Sequence, residues 1–368
     1  MSRPSAVHID LNALRHNYAL ACEAAPDSQN MAVVKADGYG HGATPIARAL
    51  EPAVPAFGVA CLEEAMALRR AGIQKPILLL EGFFNADELD IVAANNIWLL
   101  VENQWQIDTL ARSTHTTPIS VWLKVDTGMH RLGVQLNKVE SSYQKLQQAE
   151  GVANEIVVAT HFACADLLHN QTTTLQIERL KTAISSLTTS STSNDIPLSM
   201  ANSPALFAWP QARAQWNRAG YMLYGNSPFD RPHPINEKLI PVMSLTSKVI
   251  SLRTVPAGES VGYGATWTAT RESVIATVPV GYGDGYPRTA HSGTPVLING
   301  QRARLAGRVS MDLITVDVTD LKGVDQGSAV ELWGKALSVE EVASHAQTIG
   351  YELLTRMPGR LPRIYIGE

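Results

Sequence analysis

The sequence predicts an α/β fold, a (β/α)8 TIM-like barrel followed by a mostly-β C-terminal domain. Three observations carry that expectation. Eight short apolar runs lie between residues 31 and 224, amphipathic stretches separate them, and after about residue 230 the pattern changes to strand-like segments punctuated by Gly, Pro and Asp. In chain order the runs are "MAVVK", "AFGVA", "PILLL", "IWLLV", "ISVWLKV", "EIVVATH", "PLSMAN" and "RAGYMLY". Strands that read as apolar on both faces, alternating with helices, suit a parallel barrel. Between them "LEEAMALRRAG", with Gly72 placed as a C-terminal cap, "ADELDIVAANN", "QWQIDTLARS" and "QTTTLQIERLKTAISSL" repeat apolar residues at helical spacing. A doubly wound open sheet is the competing architecture, but it calls for an early GxGxxG loop, and "KADGYGHG" has a different spacing.

The stretch "SSLTTSSTSND" offers no apolar face and reads as a solvated loop. Further on, "GNSPFDRPHPINEKLIP" concentrates proline, glycine and charge, which sets the expected boundary: residues 1–230 form the barrel, and residues 231–368 the β domain. The segment Met1–Asp10 is free to pack on that second domain. The segments "VMSLTSKVISLRTV", "ESVIATVPVGYGDGYPR", "TPVLING", "RARLAGRVSMDLITVDV" and "SAVELWG" read as an all-β unit.

Composition narrows the function classes. A chain of 368 residues is long for one ordinary core. Thirty Lys+Arg against 34 Asp+Glu leave a formal charge of −4, with no basic block to attract nucleic acid or an anionic membrane. The expected partners are small molecules or protein. The three cysteines, Cys22, Cys61 and Cys164, form neither a CxxC pair nor a Cys/His cluster, so free thiols and no metal are expected. No stretch reaches the roughly 18 apolar residues of a membrane span. The expectation is a soluble, cytoplasmic protein.

In a barrel the chemistry lies at the C-terminal ends of the strands. Lys35 ends the first run and His161 the sixth; Asn202 and Ser203 follow the seventh, while Arg218, Gly220 and Tyr221 lie in and after the eighth. Ser203 and the backbone N–H groups near Gly220 and Tyr221 fall where barrels commonly hold a phosphate. A lysine amine held away from water is easier to keep neutral, and a neutral amine forms a Schiff base with an aldehyde. Pyridoxal phosphate supplies both the aldehyde and the phosphate. Taken singly, each residue has an ordinary alternative. Lys35 could be a snorkelling surface cation, His161 a satisfied near-core histidine, and Asn202-Ser203 a helix N-cap. Arg131 could be a loop cation paired with a neighbouring acid, and Tyr39 and Tyr263 packing aromatics. It is their joint placement at strand ends that favours a site.

These residues sit in stretches that resemble the alanine racemases, pyridoxal-phosphate enzymes of the fold type that joins a barrel to a C-terminal β domain. "AVVKADGYGHG", "VDTGMHRLG", "ATHFACAD", "ANSPA", "RAGYMLYG", "VGYGATW", "VPVGYGDGYPR" and "GRVSMD" occur in the family's order over essentially the whole chain. The resemblance implies interconversion of L-alanine and D-alanine, supplying D-alanine for peptidoglycan or serving alanine breakdown. It implies pyridoxal 5'-phosphate attached at Lys35, which also serves as one proton-transfer base, with Tyr263 as the other. Inverting a stereocentre through a planar carbanion needs a proton removed on one face and delivered on the other, so two bases are required. A free phenol, of pKa about 10, is a weak base at neutral pH. His161 and Arg218 are, by the same resemblance, a relay around the site, with Arg218 donating to the pyridine nitrogen. Tyr39, Ser203, Gly220, Tyr221 and Tyr351 would hold the phosphate, with Asn202 alongside. Arg131 and the Met311 backbone would bind the substrate carboxylate, Asp312 would help to set the site, and Tyr282 would line the approach. Lys124 matches a lysine that is carbamylated in the family; an ordinary ion pair with an acid such as Asp126 is the alternative. The family also implies a homodimer in which each site is completed by the partner's β domain.

Other readings remain open on the sequence. A non-catalytic cofactor carrier needs neither "VGYGATW" nor "SMD". A decarboxylase of similar fold places a cysteine in its C-terminal domain, whereas the three cysteines here all fall in the barrel half. A cofactor-free barrel enzyme would lack absorbance from a bound aldehyde. Tyr351 and Tyr282 favour a small side chain on the substrate, which admits serine besides alanine.

Overall fold

A computed structural model describes residues 3–115, 117–190 and 196–367 of the chain. The first strand, β1 (Ala6–Asp10), is followed at once by a helix, Leu11–Ala24, whose N-terminus is capped by Asp10 Oδ1 accepting from the Asn12 and Ala13 N–H groups at 3.0 Å. Eight strands then close into a parallel barrel in chain order: β2 (Gln29–Val33), β3 (Phe57–Val59), β4 (Ile77–Leu79), β5 (Ile97–Val101), β6 (Ile119–Lys124), β7 (Val152–Ala159), β8 (Leu198–Ser199) and β9 (Trp216–Ala219). The pairing of β2 with β9 closes the ring.

Successive side chains of a strand point to opposite faces. Trp98, Trp122 and Trp216 meet on the inner face, with ring centroids 5.4 to 6.4 Å apart, over Met31, Leu78 and Val157. Truncating a buried tryptophan such as Trp122 would cost on the order of 3–5 kcal/mol. This aromatic floor shuts the barrel from below. Among the residues two or four positions further along are Lys35, Lys124, His161 and Arg218, which line the space above this floor, and Glu102, whose charge acts on Lys124.

Two segments differ from expectation. The run "RAGYMLY" is not one strand: β9 ends at Ala219, and Tyr221–Tyr224 form a 3₁₀ turn. All four turn residues are buried, and Asn17 Nδ2 donates to the Leu223 carbonyl at 3.1 Å. With every face covered, the period that separates helix from strand disappears. The stretch "SSLTTSSTSND" is helical through Ser190, as part of a helix spanning Thr172–Ser190. Leu187 is buried and continues the stripe of Thr173, Gln176, Ile177 and Leu180. The rest of that stretch lies outside the described residues.

The C-terminal part builds a nine-stranded sheet and a small hairpin. Its strands are β10 (Met243–Lys248), β11 (Ser251–Val255), β12 (Ser260–Val261), β13 (Trp267–Thr268), β14 (Ser273–Val278), β15 (Pro295–Ile298), β16 (Gln301–Leu305), β17 (Ile314–Asp317), β18 (Ala329–Trp333) and β19 (Arg363–Ile366). The sheet order is β11-β14-β17-β16-β15-β18-β10-β1-β19, and β12 pairs with β13 alone. The first strand of the chain thus belongs to this sheet, antiparallel to β10 and parallel to β19. The all-β expectation is corrected by two short helices, Val339–His345 and Gly350–Thr355. The first has Ser338 as an N-cap for the Glu341 N–H and two glutamates in its first turn. The second carries Tyr351 to the barrel mouth. Among the described residues no helix is long and apolar enough to cross a membrane.

Candidate active site

A cavity of about 770 Å³ opens at the C-terminal end of the barrel, a size suited to a cofactor with a small substrate. Lys35, Tyr39, Lys124, Arg131, His161, Asn202, Ser203, Arg218, Gly220, Tyr221 and Tyr351 all line it. Tyr263, Tyr282, Met311 and Asp312 do not.

Lys35 begins one left-handed turn. Ala36, Asp37 and Tyr39 have φ of 52°, 54° and 50°, and Gly38 and Gly40 have 61° and 79°. For a residue with a Cβ this conformation costs about 1–2 kcal/mol, so the surroundings must hold it. Glu64 Oε1 accepts from the Ala36 N–H at 2.7 Å, and Asp37 Oδ1 from the Ala43 N–H at 2.9 Å. From β19, Arg363 Nε donates to the Gly40 carbonyl and Tyr365 Oη to that of His41, both at 3.0 Å. A Cβ on Gly40 would stand 1.9 Å from the Leu354 carbonyl oxygen, so glycine is required there. The glycines after Lys35 let the C-terminal domain press on this turn.

Arg218 is 7% exposed and heavily bonded. Nη1 donates to Ser199 Oγ at 2.6 Å and to the Ser199 carbonyl at 3.0 Å; Nη2 donates to the Thr160 carbonyl at 2.6 Å and lies 3.4 Å from His161 Nδ1. Burial lowers the guanidinium to about 10, still cationic at neutral pH. His161 is held well below its ordinary value by burial first, then by Arg218, Lys124, Arg131 and Lys35. Its imidazole is therefore neutral.

Lys124 is buried, and its pKa falls to about 8 through burial, with Arg218 and Arg131 adding to the effect and Glu102 opposing it. The anticipated partner Asp126 is engaged elsewhere: its Oδ1 accepts from the Gly128, Met129 and His130 N–H groups, and its Oδ2 meets the His130 ring at 3.0 Å. Those bonds shape the loop that carries Arg131 to the cavity.

At the opposite end Ser203 Oγ accepts from the Gly220 N–H at 3.1 Å and the Met222 N–H at 3.3 Å. A Cβ on Gly220 would come within 2.9 Å of Tyr39 Oη. Burial raises Tyr39 to about 12, so its hydroxyl stays protonated. Tyr39 stacks on Tyr224, and Tyr221 on Tyr351 with centroids 3.5 Å apart. The Tyr221 hydroxyl donates to Glu340 Oε1 at 2.7 Å, which leaves only its backbone for a ligand. Asn202 Oδ1 accepts from the Ala205 N–H at 3.2 Å, the ordinary N-cap role.

Sequence reasoning missed Gln176, Glu102 and Glu340. Gln176 is fully buried; its Nε2 donates to the His161 carbonyl at 3.0 Å and to Thr127 Oγ1 at 3.1 Å, tying the His161 and Arg131 loops together. Strand parity alone could have found Glu102. The other two come from helices whose docking no local pattern announces.

The residues outside the cavity form a separate exposed patch. Tyr263 is 69% exposed, at the tip of the β12–β13 hairpin between Gly262 and Gly264, both at positive φ. Met311 is 54% exposed. The Tyr282 N–H donates to the Ser310 carbonyl at 3.0 Å, and a Cβ on Gly262 would lie 3.6 Å from the Arg308 nitrogen, so one segment, 307–312, gathers all three. Within one chain Lys35 and Tyr263 do not meet in a common cavity. Among the described residues no three His, Cys, Asp or Glu side chains are placed to hold a metal ion.

Comparison with known proteins agrees with this architecture. The family model for the alanine racemase N-terminal domain matches residues 9–228, and that for the C-terminal domain residues 242–365. The alanine racemase of Chromohalobacter salexigens is 49% identical over 365 residues, 99% of this chain and 98% of that protein. The catabolic alanine racemase of Pseudomonas putida is 47% identical over 366 residues, covering 100% of both. The crystal structure of the biosynthetic alanine racemase from Pseudomonas aeruginosa superimposes with a TM-score of 0.94 at 45% identity, covering 99% of this chain and 100% of that one. On these grounds the chain belongs to the alanine racemase family.

Proposed function

We propose that this protein interconverts L-alanine and D-alanine using pyridoxal 5'-phosphate held at Lys35. The observation that carries the reading is that one cavity contains a lysine at one side and, at the other, a glycine cradle of phosphate-binding donors. The donor set fits the group. The Ser203 hydroxyl, held in place by accepting from the Gly220 and Met222 N–H groups, and the protonated Tyr39 hydroxyl flank Gly220, whose missing side chain leaves room for an oxyanion, and charge-assisted bonds of this kind are the strong ones.

When bound, the cofactor would supply the electron sink that makes the substrate α-proton removable. Every other task falls to this chain. Arg218 is anchored through Nη1 and Nη2, which leaves its Nε–H to donate to the ring nitrogen. A guanidinium keeps its proton, so that nitrogen remains an acceptor and withdraws electrons weakly. Arg131 would take the substrate carboxylate together with the Met311 N–H. Lys35 Nζ would move the proton on the face used by D-alanine and Tyr263 Oη on that used by L-alanine. Because Tyr263 and Met311 stand exposed outside the cavity of their own chain, a second copy would supply them. The active form is accordingly a homodimer with shared sites, working in the cytoplasm. Relatives described as catabolic and as biosynthetic lie at comparable identity, and both metabolic roles fit this site.

The test is deuterium uptake from heavy water into the α-position of each enantiomer. Wild type should exchange and interconvert both, Lys35→Ala neither, and Tyr263→Phe should lose reaction from the L side. Cofactor-loaded wild type that exchanges neither enantiomer would refute the assignment. Shared sites predict that co-expressed Lys35→Ala and Tyr263→Phe chains recover activity as hybrids, since one site then has both bases intact.

A further inference from the structure

Beside the Tyr282 and Met311 turns lies a four-charge cluster that the reading above leaves unused. The Asp284 carboxylate has no exposed surface. Its oxygens receive Arg3 Nη1 at 2.7 Å and Nη2 at 2.8 Å, and Oδ2 also accepts from the Gly281 N–H at 2.9 Å. Arg360 Nε stands 3.4 Å from Oδ1, while its Nη2 donates to Asp312 Oδ1 at 2.5 Å. Arg3 Nη2 reaches the Asp312 carbonyl at 3.0 Å. Two arginines and two aspartates, from four separated segments, thus balance in charge around a buried acid.

The cluster joins two turns whose backbones are already laced. The Gly283 N–H donates to the Met311 carbonyl at 2.8 Å. A Cβ on Gly281 would lie 2.3 Å from the Ser310 carbonyl oxygen, and one on Gly283 2.5 Å from Arg360 Nη1. At Gly281 the neighbours are backbone, so nothing larger than glycine fits, whereas a side chain at Gly283 would displace the Arg360 guanidinium.

We propose that Arg3, Asp284 and Arg360 are positioning residues that hold the Met311–Asp312 turn against the Tyr282 turn, and so set how tightly the site takes a substrate carboxylate. The proposal rests on the reading above, in which the Met311 N–H meets that carboxylate. A backbone donor on an exposed turn binds well only where the turn is held, and misplacement by 1 Å can cost up to about 100-fold. Carboxylate binding is felt equally in the ground and transition states, so loosening the turn raises KM and leaves kcat largely intact.

The test uses full-length, cofactor-loaded enzyme and compares wild type with Arg3→Met, Arg360→Met and Arg360→Lys. Amide hydrogen exchange should accelerate about tenfold in peptides covering 281–286 and 309–313 of the methionine variants, with barrel peptides unchanged. KM for both alanine enantiomers should rise about tenfold with kcat within about threefold, and the inhibition constant of propionate, a carboxylate without the amine, should rise in parallel. Arg360→Lys keeps the charge and should fall between. If a methionine variant does not fold, Arg360→Lys and Asp312→Ala, which removes the acceptor of Arg360 Nη2 without stranding the buried acid, carry the same comparison. Unchanged exchange in both turns, or faster exchange with KM and propionate binding unaltered, would overturn the proposal. A wild type without racemase activity would instead count against the assigned reaction, while the exchange measurement would still decide the brace.

Discussion

The Tyr221 hydroxyl and Glu340 Oε1, 2.7 Å apart, join the turn after the last barrel strand to a helix of the C-terminal domain. Burial raises the pKa of both groups, and the bond from Tyr221 opposes the rise in Glu340. Glu340→Leu would strand a buried hydroxyl and should cost about 1–3 kcal/mol, read as a lower thermal midpoint. Glu340→Gln keeps an acceptor and should cost less. Because the folded carboxyl holds its proton above the ordinary 4.5, wild-type stability falls as pH rises from 4.5 through the elevated value. Urea titrations of both proteins across that range should show the stability advantage of wild type over Glu340→Gln shrinking as pH rises.

Gly220→Ala should damage cofactor binding. The new methyl would stand 2.9 Å from Tyr39 Oη and 3.8 Å from Ser203 Oγ, in the space assigned to phosphate. We expect pyridoxal phosphate to bind about 10- to 100-fold more weakly, on the scale of a 1 Å misplacement, with bare pyridoxal much less affected. Absorbance titration with both ligands measures the difference.

Lys124 should respond to pH and to carbon dioxide. Its pKa drops from 10.5 to about 8, so between those values the unfolded chain binds a proton that the folded chain lacks. Stability therefore rises with pH across that window, by up to about 1.4 kcal/mol per unit. Lys124→Met should flatten the rise. A partly neutral amine near pH 8 can attack CO2, lose a proton and become an anionic carbamate between Arg131 and Arg218. Labelled bicarbonate should give a ¹³C carbamate resonance in wild type that Lys124→Met lacks; its absence in wild type would rule out the modification.

Acid should unfold the protein partly through His41. This fully buried ring donates from Nδ1 to the Tyr39 carbonyl at 2.8 Å, and burial lowers it from 6.5 to about 4. As pH falls below 6.5 the unfolded state gains a proton that the folded state refuses until about 4, so stability declines over that range. His41→Gln should weaken the decline, as read from urea midpoints between pH 4 and 7.

Much of the barrel was legible because its strands are short apolar runs set apart by amphipathic helices, a pattern local enough to count. The placement of Lys35, His161 and Arg218 followed from strand ends, and that of Lys124 from the family resemblance. Tyr221–Tyr224 and Leu187 misled, since a segment covered on all sides and a polar helix end with one buried leucine both lose their period. Gln176 and Glu340 gave no signal, being polar side chains whose partners are brought in by other elements.

The sequence by itself determined the strand count, the parity that turns Trp122 with Lys124 and Trp216 with Arg218 inward, and the family motifs around the site. Only the tertiary structure decided that these residues share one cavity, that a left-handed turn follows Lys35, that Arg3 closes on Asp284, and that Tyr263 stands outside the cavity of its own chain. The reason is physical. Periodicity and turn chemistry act over a few residues, whereas contacts between positions 281 apart, such as Arg3 with Asp284, exist only after the barrel has closed and the first strand has joined the last sheet.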